Sequence, residues 1–316
     1  MSGGTGTAQI EGLPGTAGLG RPIKGPSALG SDPRRLWHLT WTLARTEFKL
    51  TFFGSVLGYA WQLMRPLLLF GVIYIVLLHF AETHSTASAP AGAAQHSSLF
   101  FSGEHLAAAL LLGIVLFTFL GESCGTAVTA LVNRENLVRK IDFPRLAVPL
   151  STVLTAMFNL ALNMAVVLLF LLAEGASAYR SWLEVPLLVL ALAAFSTGLS
   201  MLLSVAYVRY RDIKPIWDVA MQANFYASGI FIPITKLRPI HLFGAKISLS
   251  HVLMANPFAA ILEQARHAFM GSSYPTAAHA LGGGAMILVP IGIALAVIVA
   301  GFLIFDRQAP YVAERL

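Results

Sequence analysis

Six apolar stretches dominate this sequence: approximately Ser55 to Phe80, His105 to Val132, Leu146 to Leu172, Val185 to Val208, Ile216 to Thr235 and Gly283 to Phe305. Each reaches the roughly 20 residues an α-helix needs to cross a hydrocarbon core. In lipid the backbone must satisfy its own hydrogen bonds, which leaves helices or a closed barrel, and long unbroken apolar runs favour helices. Composition agrees. Over 316 residues the chain is 56% hydrophobic and 11% charged, with a mean hydropathy of +0.72, whereas a soluble domain is about a quarter charged. The expected fold class is therefore an all-α integral membrane protein with six transmembrane helices. The fifth stretch is the weakest, because Gly229 and Pro233 punctuate it. The apolar helix that follows, Pro257 to Met270, is too short to span and fits a re-entrant arrangement.

Residues 1–32 are mostly Gly, Ala, Ser, Thr and Pro with no apolar core, so they read as a disordered tail rather than a secretory signal. Residues 33–54 read as an amphipathic helix. At about 100° per residue, Arg34, Arg35, His38, Thr42, Arg45 and Lys49 gather on one face and Leu36, Leu39, Leu43 and Leu50 on the other. Trp37, Trp41, Ala44 and Phe48 flank the cations, the composition of a helix lying at the headgroup boundary. The membrane domain then covers 55–305, and 306–316 form a C-terminal tail. Of the 21 Lys and Arg, only Arg180, Lys236, Arg238, Lys246 and Arg266 fall in one alternate set of segments. The positive-inside rule then places both termini in the cytoplasm and the loop 81–104, which has no Lys or Arg, outside.

No G-x-x-x-x-G-K-[ST] pattern is present, and no cytoplasmic stretch is long enough for an ATPase domain. The single cysteine, Cys124, excludes an intrachain disulfide and reads as a small packing residue in a helix. Glu263 and His267 lie one turn apart, which reads as a surface pair, and no metal is assigned. No paired carboxylates or His-acid constellation qualifies as a catalytic cluster, so no catalytic residue is expected. Within the second stretch, Glu122 is costly in lipid unless it faces a wet cavity or a partner. It reads either as a lining residue or as a hydrogen-bonded helix contact helped by Ser123 at the Gly121 and Gly125 crossing. Arg65, beside Pro66, sits close enough to the cytoplasmic edge to snorkel. The loop from Asn133 to Arg145 offers Ile141 and Phe143 as apolar knobs among cations, suited either to docking on another protein or to plain topological work. In the next turn, Asp212 either pairs with Arg211 or caps the helix that Pro215 begins.

Four segments together resemble the permease subunits of ABC-2 type exporters, in the branch that moves O-antigen, teichoic acid, capsule and galactan precursors. They are Ser55-Val-Leu-Gly-Tyr-Ala-Trp-Gln-Leu-Met-Arg-Pro66, Leu137-Val-Arg-Lys-Ile-Asp-Phe-Pro-Arg-Leu-Ala-Val-Pro149, Arg209-Tyr-Arg-Asp-Ile213 and Asn256-Pro-Phe-Ala-Ala-Ile-Leu-Glu-Gln-Ala-Arg266. The resemblance covers about Arg34 to the C-terminus. It implies a homodimer in the cytoplasmic membrane of a bacterium, two copies of a separate ATPase that bind ATP and Mg, and no cofactor in this chain. The implied cargo is a lipid-linked glycan, with a drug or lipid as the alternative, and nucleic acid is not a partner. ATPase coupling falls on Arg139, Lys140, Ile141, Asp142, Phe143, Pro144 and Arg145. The interface helix, with Trp37, Trp41, Arg45 and Lys49, is a second contact. An outer gate falls on 248–270, including Asn256, Pro257 and Arg266. The tail before Arg34 and the loop 81–104 look longer than the common core.

A sugar polymer slides best over many weak contacts, and sugar rings stack their C–H faces on aromatic planes. Candidate path residues are therefore Tyr59, Trp61, Phe117, Phe119, Phe158, Phe225, Tyr226 and Phe231, together with Glu122. The competing role for these rings is to fill helix interfaces.

Overall fold

The structure is a computed structural model that describes residues 32–51, 53, 58–86, 105–140, 143–176, 180–231, 234, 240–242, 245–247 and 249–315. The tail and most of the loop 81–104 lie outside the described residues. Eleven helices follow in order among those described: α1 (Pro33–Thr51), α2 (Ala60–Thr86), α3 (Leu106–Asn133), α4 (Glu135–Lys140), α5 (Ala147–Ala173), α6 (Val185–Arg209), α7 (Ile213–Ala227), α8 (Leu249–Met254), α9 (Pro257–Met270), α10 (Ala277–Ala280) and α11 (Leu288–Arg315). One departure from helix is a hairpin pairing β1 (Ile240–Leu242) with β2 (Ala245–Ile247) in antiparallel register, Ile240 opposite Ile247.

Five helical segments are long and apolar enough to cross a membrane: 60–79, 106–133, 147–173, 180–209 and 284–312. The expected fifth crossing, 216–235, begins as α7, whose 15 residues span about 22 Å at 1.5 Å per residue. The chain runs on past it to Ile230 at Gly113 of α3, while residues 232, 233 and 235 lie outside the described residues. The end of α7 is local chemistry: the Ser228 amide donates back to the Asn224 carbonyl, and Gly229 adopts φ 73°, the left-handed conformation that terminates helices and suits glycine.

α3 is the axis of the bundle, with 67% of its most apolar window buried, and α5, α6, α2, α7 and α9 pack around it. At one end, Leu36, Leu39 and Leu43 of α1 pack into a cluster with Leu131 of α3, Phe143, Val148 of α5, Val205 and Val208 of α6, and Phe305 and Val312 of α11. The helices of both termini thus share one end, the end that also carries Arg34, Arg35, Arg134, Arg209 and Arg211. α2 leaves this basic end, since Phe70 meets Phe170 near the far end of α5 at 5.6 Å. α7 also leaves it, because Ile230 lies against Gly113 in the far half of α3. α11 then returns beside α6. There a Cβ on Gly198 would fall 2.8 Å from the Ile298 Cα, so the crossing depends on a residue without a side chain.

Candidate functional site

At the basic end, α1, α2, α3 and α5 enclose a cleft of about 790 Å³. Helical spacing explains its polarity. Glu122, Thr126, Thr129 and Asn133 recur every three or four residues on α3, and Thr152, Thr155 and Asn159 do so on α5. Glu47 of α1, Trp61, Gln62 and Arg65 of α2, and Arg134 just after α3 add to the lining. Glu122 stands at the centre. Gln62 Nε2 donates to its Oε1 at 2.8 Å and Asn159 Nδ2 donates to its Oε2 at 3.0 Å. One carboxylate thereby ties α2 and α5 to α3, and the two amides offset part of the cost of holding it among apolar helices. Ser123, the expected helper, donates instead to the Leu120 carbonyl of its own helix.

Below Glu122, Arg134 pairs with Glu47 and donates to Ser151 Oγ at 2.8 Å. Burial lowers the Arg134 pKa from its ordinary value. Thr155 donates to Glu47 at 3.3 Å, so α1 is fastened to α3 and α5 by charge as well as by packing.

From the cleft residues Glu122, Thr126 and Thr129, a half-buried strip of α3 continues upward through Gly125, Gly121 and Thr118. α2 flanks it through Gln62, and α7 flanks it through Met221, which approaches Gly121. Beside the far end of the strip lies a cluster of rings. Phe117 and Phe225 are 4.9 Å apart, Phe225 and Phe231 are 4.9 Å apart, and Phe225 meets Tyr226 at 5.6 Å. Phe258 of α9 joins at 5.6 Å from Phe117. Tyr226, 70% exposed, is its outward edge.

The structure thus brings Phe117, Phe225, Tyr226 and Phe231 together and places Trp61 and Glu122 in the cleft. Three other candidates are elsewhere. Phe119 is 2% exposed, because two residues along a helix rotate it away from Phe117 into the core. Phe158 is wedged between Trp41 and Phe48, at 5.5 Å from each, and fills the contact between α1 and α5. Tyr59 stacks on Phe48 at 5.2 Å. On α1 the indoles of Trp37 and Trp41 remain exposed.

The outer segment is built around Arg266, which is fully buried. Its guanidinium donates to the carbonyls of Gly229 (2.8 Å) and Ile230 (3.0 Å), just past the end of α7, and to that of Ala109 on α3 (3.4 Å). Glu263 pairs with it at 3.4 Å. Asn256 caps α9 by accepting from the Phe258 amide at 3.0 Å, with Pro257 in the first turn, and its Nδ2 donates to Asn224 of α7. α9 therefore grips the end of α7 twice. Glu263 is buried rather than on the surface, and His267 Nδ1 lies 2.7 Å from the Tyr274 carbonyl, so the expected surface pair is corrected.

In the loop after α3, Arg139 and Lys140 close α4, Ile141 and Asp142 lie outside the described residues, and Pro144 is buried. Phe143 is 3% exposed and packs among α1, α6 and α11, so its expected role as an outward knob is corrected: the same apolar character that suits docking has drawn it inward. Arg145 is buried too. Asp212 stands at the cap position of α7 with no capping hydrogen bond from its side chain, and Arg211 lies over the Tyr207 ring at 5.1 Å.

Sequence reasoning missed Gln62, Asn159 and Asn224. Each is an amide inside or beside an apolar helix, and that isolation was the available signal. Among the described residues no three His, Cys, Asp or Glu side chains stand together as a metal site.

Comparison with known proteins adds the family. The chain is 23% identical over 238 residues to the O-antigen export system permease protein RfbA of Myxococcus xanthus, covering 75% of this chain and 82% of that one. It is 22% identical over 236 residues to a protein of the same name from Klebsiella pneumoniae, covering 74% and 81%. A family profile described as ABC-2 type transporter matches residues 38–270, which hold the cleft, the strip and the Arg266 clamp, and the chain belongs to that family.

Proposed function

We propose that this chain is the permease subunit of an ATP-driven exporter that moves a lipid-linked cell-surface polysaccharide outward across the cytoplasmic membrane of a bacterium. The basic end faces the cytoplasm, following the positive-inside rule. A separate ATPase, two copies of it, binds ATP and Mg and docks there, against α1, α4 with Arg139 and Lys140 at its end, and the α6–α7 turn, where Tyr210 and Arg211 are exposed. The chain itself transports and catalyses no bond change.

The observation that carries this reading is the strip on α3. It is a small and polar surface in an otherwise apolar bundle, leading from the cleft toward the ring cluster, and α2 and α7 stand on either side with apolar side chains exposed, Leu68 and Val72 on one and Ile216 and Val219 on the other. Two copies meeting along α2 and α7 enclose two such strips in one path. The relatives named for O-antigen export supply the cargo class. Deleting the gene tests it: surface glycan is lost and lipid-linked polymer accumulates inside the cell. Normal surface glycan, with loss of resistance to a drug or loss of a lipid from the outer leaflet, replaces this cargo with the alternative.

A further inference from the structure

We propose that the cleft at the basic end contains a subsite for the hydroxyl groups of a neutral sugar, with Glu122 and Asn159 as acceptors and the Trp61 ring as the platform. The cargo class rests on the export reading above, and the subsite itself rests on unused hydrogen-bonding capacity. Asn159 is 9% exposed, and its Nδ2 is committed to Glu122, which fixes its Oδ1 as an acceptor. That Oδ1 is buried and has no hydrogen-bond partner among the described residues. A buried acceptor without a donor is a cost that native folds rarely leave standing, and a bound donor removes it. Glu122 adds to the same surface. An ionised carboxylate offers about four acceptor positions, and the two amides take one on each oxygen.

The missing group must therefore donate. The two carboxylates on the lining, Glu47 and Glu122, are balanced there by Arg65 and Arg134, so net charge selects neither sign and the acceptor left over on Asn159 selects a neutral hydroxyl donor. Hydroxyls on adjacent carbons of a pyranose reach two neighbouring acceptors at once. The indole of Trp61, adjacent in sequence to Gln62 and 49% exposed, lies on the same lining and presents an apolar plane to the C–H face of a ring. At about 790 Å³ the cleft falls in the ~300–1,000 Å³ range of sites for small organic ligands. Its position at the basic end of the strip makes it the first surface a polymer meets.

Glu122→Gln reverses the polarity without cutting the ties between helices. The new amide nitrogen needs an acceptor, so Gln62 or Asn159 turns its oxygen inward and its NH2 group toward the cleft, and acceptors become donors. The experiment uses the full chain in lipid nanodiscs, with maltohexaose as a neutral probe and saturation transfer from protein to sugar protons as the readout. Wild type is expected to transfer saturation. Binding is expected to fall about tenfold in Glu122→Gln, the effect of losing a hydrogen bond to a charged group, and to fall also in Asn159→Leu and Trp61→Leu, while each variant elutes as wild type does and Glu122→Gln and Trp61→Leu also unfold as it does. Asn159→Ala replaces Asn159→Leu if the bulkier chain does not fold.

No transfer in wild type, binding indifferent to Glu122→Gln, or binding of inorganic pyrophosphate or methylamine in preference to maltohexaose would each overturn the assignment. Export in cells separates the two claims. If the deletion strain keeps its surface glycan, the export reading fails. If it loses the glycan and Glu122→Gln restores it in full, the subsite alone fails.

Discussion

Two polar constellations are embedded in this apolar bundle, and they differ in the kind of partner each uses. Around Arg266 the donors meet backbone carbonyls of α3 and of the turn after α7 and a carboxylate one turn away, with the guanidinium fully buried and Glu263 Oε1 left without a partner among the described residues. Around Glu122 the partners are side-chain amides, the carboxylate is half-buried at a cleft, and an acceptor on Asn159 is left over. Backbone carbonyls cannot turn away, so the first arrangement fixes where α7 ends. Amides rotate and exchange partners, so the second holds the helices together while leaving capacity for a ligand. Fixed backbone acceptors serve rigidity here, and rotatable amides beside an open cleft serve recognition.

The largest expected effect falls on the rigid constellation. Arg266→Met removes the donors from three carbonyls and strands Glu263 in the interior, and it should cost about 3–5 kcal/mol, read as a lower unfolding midpoint of the purified chain. Adding Glu263→Leu should recover part of that loss, since an uncompensated buried charge is then gone. A double variant as unstable as the single one would assign the stabilisation to the carbonyl contacts instead of the ion pair.

Two glycines on α3 sharpen the comparison further. A Cβ on Gly113 would sit 3.2 Å from Arg266 Nη2 and 3.3 Å from Ile230 Cγ2, whereas one on Gly125 meets nothing within 4 Å. Gly113→Ala should destabilise by about 1 kcal/mol through crowding. Gly125→Ala should stabilise by roughly 0.5–1 kcal/mol through helix propensity while narrowing the strip. Equal signs for the two in thermal unfolding would show that the two regions do not differ in packing.

Much of the scaffold was legible because it depends on local quantities. The expected stretches 105–132, 146–172 and 185–208 match α3 (Leu106–Asn133), α5 (Ala147–Ala173) and α6 (Val185–Arg209), since helix length and hydropathy set their ends. The end of α7 was only half legible. Gly229 marked it, yet the Arg266 clamp that holds the turn comes from a residue 37 positions away. Glu122 was visible because a carboxylate in lipid must have a reason, while Gln62 and Asn159 became its partners only through the way three helices meet. Phe117 and Phe119 differ by two positions in one helix, and no composition argument separates the ring in the cluster from the ring in the core. Phe143 shows the same ambiguity, since an apolar residue among cations suits a partner's surface or its own interior equally well.

The central claim is that the half-buried strip on α3 is a wet path and not a lipid-facing or closed seam. Cys124 is the single cysteine and is fully buried, so introduced thiols can be labelled against a silent background. Thr118→Cys, Gly125→Cys and Thr129→Cys, made one at a time and compared with Ile291→Cys on the exposed face of α11, should all react with a membrane-impermeant maleimide, because a thiolate forms only where water reaches it. Ile291→Cys should stay unlabelled, and stalled polymer should protect the three strip positions. Labelling confined to Thr129→Cys, with Thr118→Cys and Gly125→Cys as silent as Ile291→Cys, would contradict the path.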